Sequence, residues 1–337
     1  MEDITFGGPD MPMYHDLPDF VFEHPEVKDL ISTRGIDFIS PKIQALKELD
    51  GITFSMCHIG DESLENICLV KSLTFLFLEM PNITRIPASI SKLKRLEELT
   101  IFQSPLSIVP PEIGTLSKLK SLELHWNELQ TVPAELFDLP ALEDMSLRIN
   151  QIHELPSNSL YTSPVKEIDL RSNCLTALPR AFGNLSALET LFISSNKLAE
   201  IPVAIQRLKS LETLFLSSNL IKDISHHILE LPRLKELRLQ GNKLDTLPAF
   251  SAEQLIDLGI HYNSIATLPR FKAPLLERFA LDSQAFFSTP IDNFTQLSHL
   301  QHLSLTIPKS GLTPSQQSIL EDFKAQCPNV EIDCRIR

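Results

Sequence analysis

The sequence has no apolar run approaching the roughly 20 residues needed to cross a bilayer. Its first stretch, MEDITFGGPDMPMYHD, has neither a basic segment nor an apolar one, which excludes a Sec-type signal peptide. Cysteine is sparse and unpatterned. Cys57, Cys68, Cys174, Cys327 and Cys334 make an odd count with no regular spacing, so reduced thiols in a cytosol-like compartment are expected in place of a disulfide framework. Basic residues are in deficit, 30 against 43 acidic, and the net charge of −13 opposes wrapping a phosphate backbone. Signatures of catalysis are missing as well: no Walker loop, GxGxxG, GxSxG or HExxH occurs. The ten histidines are scattered. His125 and His261 share a strand position but lie six repeats apart, roughly 29 Å at the spacing of adjacent strands. His226 and His227 have no companion acids or thiols, and Cys174 has no histidine near it in register. No catalytic residue, metal site or cofactor is expected.

What is present is a repeat. Units begin at Leu73, Leu96, Leu119, Leu142, Val165, Leu188, Leu211 and Leu234, each 23 residues after the last, and continue at Leu255, Leu276 and Leu300. A degenerate unit, LDGITFSMCHI, precedes them at Leu49. The pattern is LxxLxLxxNxLxxLPxxIxxLxx, clearest in LETLFISSNKLAEIPVAIQRLKS. Two leucines two positions apart are the period of a strand with one buried face. Asn recurs at 127, 150, 173, 196, 219, 242 and 263, always three residues after the last strand leucine or isoleucine. An amide placed there can satisfy backbone groups inside a tight stack. Where Asn is missing, Cys57, Pro81, Ser104, Gln284 and Pro308 stand in, and less regular ends are expected. The Pro of LPxxI (87, 110, 133, 156, 179, 202, 248, 269) fixes φ at the start of the return segment. No unit buries its leucines alone, so the stack counts as one domain.

These motifs resemble leucine-rich-repeat proteins of the 23-residue class, over roughly residues 49–326. The resemblance implies an α/β fold: a leucine-rich-repeat solenoid curved as a horseshoe, with a parallel sheet on the concave face and short helical or 3₁₀ turns on the convex face. The expected organisation is a disordered acidic tail (1–16), an N-terminal cap (17–48), about twelve repeats including a C-terminal helix (49–326), and a final strand with the C-terminus (327–337). In the cap, HPEVKDLIST reads as a short helix, GIDFI as a strand and SPKIQALKEL as a helix capped by Ser40. Downstream, TPSQQSILEDFKAQ carries Thr313 as N-cap, Pro314 at the first helical position and Gln316 completing a capping box, before the strand NVEID.

Residues between the strand leucines point away from the core. That parity places Phe75, Phe77, Met80, Phe102, His125 and Trp126 on the concave surface, with Ile149 nearby. Arg148 and Arg171 follow as register neighbours among Glu123, Asp144, Glu167 and Asp169. Phe192 and Phe215 then stack as neighbouring rings, and Arg238, His261, Tyr262 and Arg278 lie toward the C-terminus. Exposed aromatics and arginines on a rigid surface are the composition of protein-interface hot spots. The competing reading is that the rings cover the sheet and the charges satisfy one another. The expected function is non-enzymatic binding of a protein partner by a monomer, without nucleic acid or a membrane span. The resemblance extends to stand-alone effectors that intracellular bacteria deliver into host cytosol, and to cytosolic regulators of phosphatases or small GTPases. An enzyme with an unrecognised site is the remaining alternative.

Overall fold

The computed structural model describes residues 3–6 and 14–336, with His226 described by its backbone alone. The chain divides into two compact units, residues 1–174 with 179–185 and residues 175–178 with 186–337.

The first unit stacks eight parallel strands in chain order: β1 (Asp3–Phe6), β2 (Asp29–Ser32), β3 (Gly51–Ser55), β4 (Phe75–Glu79), β5 (Glu98–Phe102), β6 (Ser121–Glu123), β7 (Asp144–Ser146) and β8 (Glu167–Asp169). The alternation predicted from the leucines holds. Leu76, Leu78, Leu99, Ile101, Leu122 and Leu124 are fully buried, whereas Phe75, Phe77 and Phe102 between them are half-buried. The return segments are 3₁₀ turns at Ala88–Lys92, Pro111–Thr115, Ala134–Asp138 and Arg180–Asn184, each preceded by a proline with φ between −64° and −81°. A short helix α1 (Asp61–Ile67) takes that place after β3. After Pro156 there is no helical turn. Tyr161, fully buried, instead fills the space between Phe137 and Phe182 and donates its hydroxyl to Pro156 O at 2.7 Å.

The N-terminal region differs from its expectation. Residues 3–6 are not a free tail but strand β1, with Ile4 and Phe6 buried. Tyr14 and Asp16 are also bound in, through Tyr14 N–H to Gly35 O and through Ser40 N–H and Leu17 N–H to Asp16 Oδ1; residues 1–2 and 7–13 of the expected tail lie outside the described residues. HPEVKDLIST contains strand β2 rather than a helix, GIDFI contributes only a bridge from Ile36 to Tyr14, and SPKIQALKEL is a 3₁₀ turn at Pro41–Ala45 with no side-chain bond from Ser40. The expected cap is therefore further coils of the same kind. Val27, Leu30, Ile36, Ile39, Ile43 and Leu46 are all buried at repeat positions, but Ser32 replaces a strand leucine and the turn is one residue short.

The second unit begins with β9 (Thr190–Phe192), β10 (Thr213–Phe215) and β11 (Glu236–Arg238). Its return segments are a 3₁₀ turn at Val203–Arg207 and the short helix α2 (His226–Leu229). The two 21-residue repeats leave no length for a helical turn. Their returns are the two-residue strands β12 (Phe250–Ser251) and β14 (Phe271–Lys272), paired with each other, with Phe250 and Phe271 stacked at 5.1 Å. The main sheet continues through β13 (Asp257–Gly259), β15 (Arg278–Asp282), β16 (His302–Ile307) and β17 (Glu331–Ile336). Between them lie α3 (Ser283–Phe287), α4 (Asp292–Thr295) and α5 (Pro314–Gln326). Helix α5 starts at the predicted capping box, with Thr313 and Gln316 bonded reciprocally. Its Phe323, fully buried, closes the core against Phe286 and Phe294.

The conserved geometry of each coil rests on its buried asparagine. Asn150 Oδ1 accepts from Leu129 N–H at 3.0 Å and its Nδ2 donates to Leu124 O at 2.8 Å, both in the preceding coil. Asn173 in the first unit, and Asn219, Asn242 and Asn263 in the second, repeat the arrangement, whereas Asn127 Oδ1 accepts from Ser104 N–H while its Nδ2 donates to Ile101 O. Ser104 performs it with a hydroxyl, donating to Ile83 O and accepting from Ile83 N–H.

Candidate functional site: the outward face of the sheet

In the first unit, strand parity delivers the outward residues as rows, one residue per coil. Phe77, in register with Thr100, packs its ring edge-on to Phe102 at 5.5 Å, and Phe102 stacks on His125 at 4.8 Å. These rings form a ladder, and the nearby Phe75 stands in register with Gly51 and Glu98. The His125 side chain is 12% exposed, and burial pushes its pKa down, with Arg148 adding to the effect and Glu123 and Asp169 opposing it. Glu123 Oε2 lies 3.5 Å from its Nδ1, too far for a good hydrogen bond.

Trp126 does not belong to the strand. It follows β6 in a left-handed conformation, φ 57°, and stands 47% exposed. Tyr262, also predicted on the strand face, occupies the equivalent turn after β13 at φ 55°. Both stand at the sheet's margin rather than on it, because the coil must reverse two residues after its last inward strand residue.

The predicted arginine neighbours are brought together but are not equivalent. Arg171 folds back on its own strand, with Nε 3.0 Å from Asp169 Oδ1 and Nη2 2.6 Å from Oδ2. Arg148 forms no ion pair among the described residues. With Glu123, Asp144 and Glu167 they line a shallow cavity of about 370 Å³.

In the second unit, Phe192 and Phe215 are in direct register, their centroids 5.0 Å apart and their planes tilted by 60°. The next residues of that row are Arg238, Gly259, Ala280 and Ser304. Ala280 and Ser304 lie in the lining of a basin of about 460 Å³. Arg238 is not free: it shares Asp257, which is 1% exposed, with Arg278, at 2.5 Å and 2.7 Å from Oδ2. Burial also lowers the pKa of His261 beside this cluster, with Arg238 and Arg335 adding and Asp282 opposing. Asp257 was not apparent as a site residue, because the 21-residue spacing shifts the charges that converge on it.

Among the described residues no group of three His, Cys, Asp or Glu side chains could hold a metal ion, and no helix is long and apolar enough to cross a membrane. The sheet face offers aromatic and charged contacts.

Residues 140–198 match a family model described as leucine rich repeat, and residues 209–252 one described as leucine rich repeats in two copies. No curated protein matches the chain. Among solved structures, a leucine-rich-repeat protein of Leptospira interrogans is 24% identical with a TM-score of 0.62, over 95% of this chain and 93% of that one. An internalin of Listeria monocytogenes is 17% identical at 0.62, over 93% and 88%. A plant peptide hormone receptor, RGFR1 in complex with RGF2, is 17% identical at 0.62, over 99% and 67%.

Proposed function

Since the chain is a leucine-rich-repeat protein, we propose that it is a non-enzymatic module binding a protein partner on the outward sheet face, chiefly that of the first unit. The observation that carries this reading is the ladder Phe77–Phe102–His125 ending beside the exposed Trp126. Large rings on a rigid strand array lose little entropy on binding and supply the anchors of protein interfaces. Phe75, Arg148 and Arg171 extend the surface, and Phe192, Phe215, Arg238 and Tyr262 form a second group on the other unit. A peptide ligand on the plant receptor is in keeping with such a use of this fold.

The finer reading is an effector acting on host proteins in the cytosol, which the free cysteines support. The likeness to an internalin is in keeping with a bacterial source but concerns the fold. Regulation of a phosphatase or small-GTPase pathway is the alternative partner class. A GTPase-activating Arg is disfavoured, because Arg238 lies on a strand and Arg171 and Arg238 are held by carboxylates.

The test is affinity capture from host-type cytosol with the wild type and a Phe75→Ala/Phe102→Ala/Trp126→Ala variant. Specific partners should be lost from the variant while its circular dichroism and melting temperature are kept. Retention of every partner would place the contact surface elsewhere, and nucleotide or peptide turnover abolished by Arg171→Ala or Cys174→Ala would overturn the non-enzymatic reading.

A further inference from the structure

Two rows on the first unit carry side chains that the turn and strand geometry does not call for. In its coils from β3 to β8, the residue two positions after the last inward strand residue has a left-handed backbone: Met56 (φ 51°), Met80 (55°), Gln103 (56°), Trp126 (57°), Ile149 (55°) and Ser172 (56°). This conformation suits Gly and Asn, and it is a genuine outlier for a β-branched residue such as Ile149. The equivalent positions of the second unit hold Ser195, Ser218, Gly241 and Tyr262. In the first unit four of the six are large and apolar, and those four are exposed by 38–50%. A strained backbone and exposed apolar surface are thus retained at the same residues, an observation that points to use.

The other edge of the same face is acidic. One row in Cα register reads Asp3, Asp29, Gly51, Phe75, Glu98, Ser121, Asp144, Glu167, with five carboxylates and no base. Asp144 stands directly beside Glu167, and like charges so placed are destabilising. Glu98, Asp144 and Glu167 form no ion pair among the described residues. Burial, then Asp144 and Asp169, push the pKa of Glu167 up, with Arg171 opposing. The apolar row spans four coil intervals, about 19 Å, the length of a helix of about 13 residues. The rows are five residues apart along the chain, Phe75 to Met80 and Ser121 to Trp126, about 16 Å, which leaves room between them for a helix of about 10–12 Å diameter with its side chains.

We propose that this face seats a cationic amphipathic helix of a protein partner, lying across the strands with its apolar side on Met56, Met80, Trp126 and Ile149 and its lysines or arginines toward Glu98, Asp144 and Glu167. The inference rests on the protein-binding reading and adds the class of segment bound. The acidic row disfavours acidic helices, anionic lipid and nucleic acid; of the two cations between the rows, Arg171 is neutralised by Asp169, and Arg148 lies in the same cavity as Glu123, Asp144 and Glu167.

Trp126 is the single tryptophan of the chain, so its fluorescence reports from the site itself. The probe is a synthetic amphipathic helix of about 14 residues, leucine on one face and lysine on the other, compared with its glutamate counterpart. Titrated to about 1 mM, the lysine peptide should shift Trp126 emission to the blue with a saturable, salt-sensitive profile, and the glutamate peptide should not. An Asp144→Asn/Glu167→Gln variant should raise the peptide Kd about tenfold. Ile149→Asn should weaken binding while leaving the melting temperature equal or higher, an outcome that separates a contact from a structural role. Equal shifts by both peptides, or an unchanged Kd in the charge variant, would overturn the cationic class while leaving the partner-capture result intact. No shift with either peptide would overturn the seating of a helix on this face, and loss of captured partners from the aromatic variant would still uphold protein binding.

Discussion

A single buried amide decides whether a coil closes. Asn150 satisfies Leu129 N–H, Leu124 O and Leu147 O, all shielded from water. Asn150→Ala leaves these groups unpaired, and at about 1–3 kcal/mol for an unsatisfied buried group the variant should lose several kcal/mol, read from its urea midpoint. Asn150→Ser should recover part of the loss, as Ser104 does its work with a hydroxyl. His125 makes a pH prediction at the same scale. Its folded pKa lies below the ordinary 6.5, so the folded state resists protonation more than the unfolded chain does. Its favourable effect is complete above pH about 6.5 and is lost as the pH falls below that value. Melting temperatures should therefore decline on acidification below about pH 6.5, and less steeply in His125→Phe, which keeps a ring against Phe102. How much of the site was legible also turns on single residues. Parity alone put Phe77, Phe102, Phe192 and Phe215 outward, because strand alternation needs no knowledge of neighbours. It misplaced Met80, Trp126 and Tyr262 onto strands, because the left-handed reversal before each Asn or its stand-in is a property of the turn. The clue was available, since Met56, Met80, Trp126 and Ile149 each stand immediately before the Asn position or its stand-in.

At the scale of elements, prolines and caps did what local chemistry dictates. The 3₁₀ turns follow Pro87, Pro110, Pro133, Pro179 and Pro202, and Thr313 caps the start of α5. The N-terminal coils were illegible for a specific reason. Ile36, Ile39, Ile43 and Leu46 are spaced three, four and three apart, the period of an amphipathic helix, while Ser32 erased the strand signature before them. Only stacking against β3 settles the segment containing β2 as a coil. The opposite end depends on α5. Phe323 touches Phe286 and Phe294 at 5.5 and 6.3 Å and is fully buried. Phe323→Ala should cost about 3–5 kcal/mol and expose Phe286 and Phe294, measured as a lower urea midpoint with added dye binding.

At the scale of the whole molecule, each coil touches only its neighbours, so stability within each unit is a sum of local terms. Amide exchange should therefore be graded. β1 and β17, each with one strand neighbour, should exchange first, and β5 to β7 last, as read by mass spectrometry; uniform protection would show that cooperativity overrides the neighbour-by-neighbour build. The fold was legible at this scale because one period recurs with its core leucines unbroken. The asparagine bonds carry a further consequence. In the coils of each unit where the arrangement is complete, both ends of the amide reach backward: Asn150 to the coil of Leu124 and Leu129, Asn219 to that of Ile193 and Leu198. The stack therefore has a direction, that of protein synthesis. A coil leaving the ribosome meets a partner already made, and its latch closes without waiting for residues still to be translated.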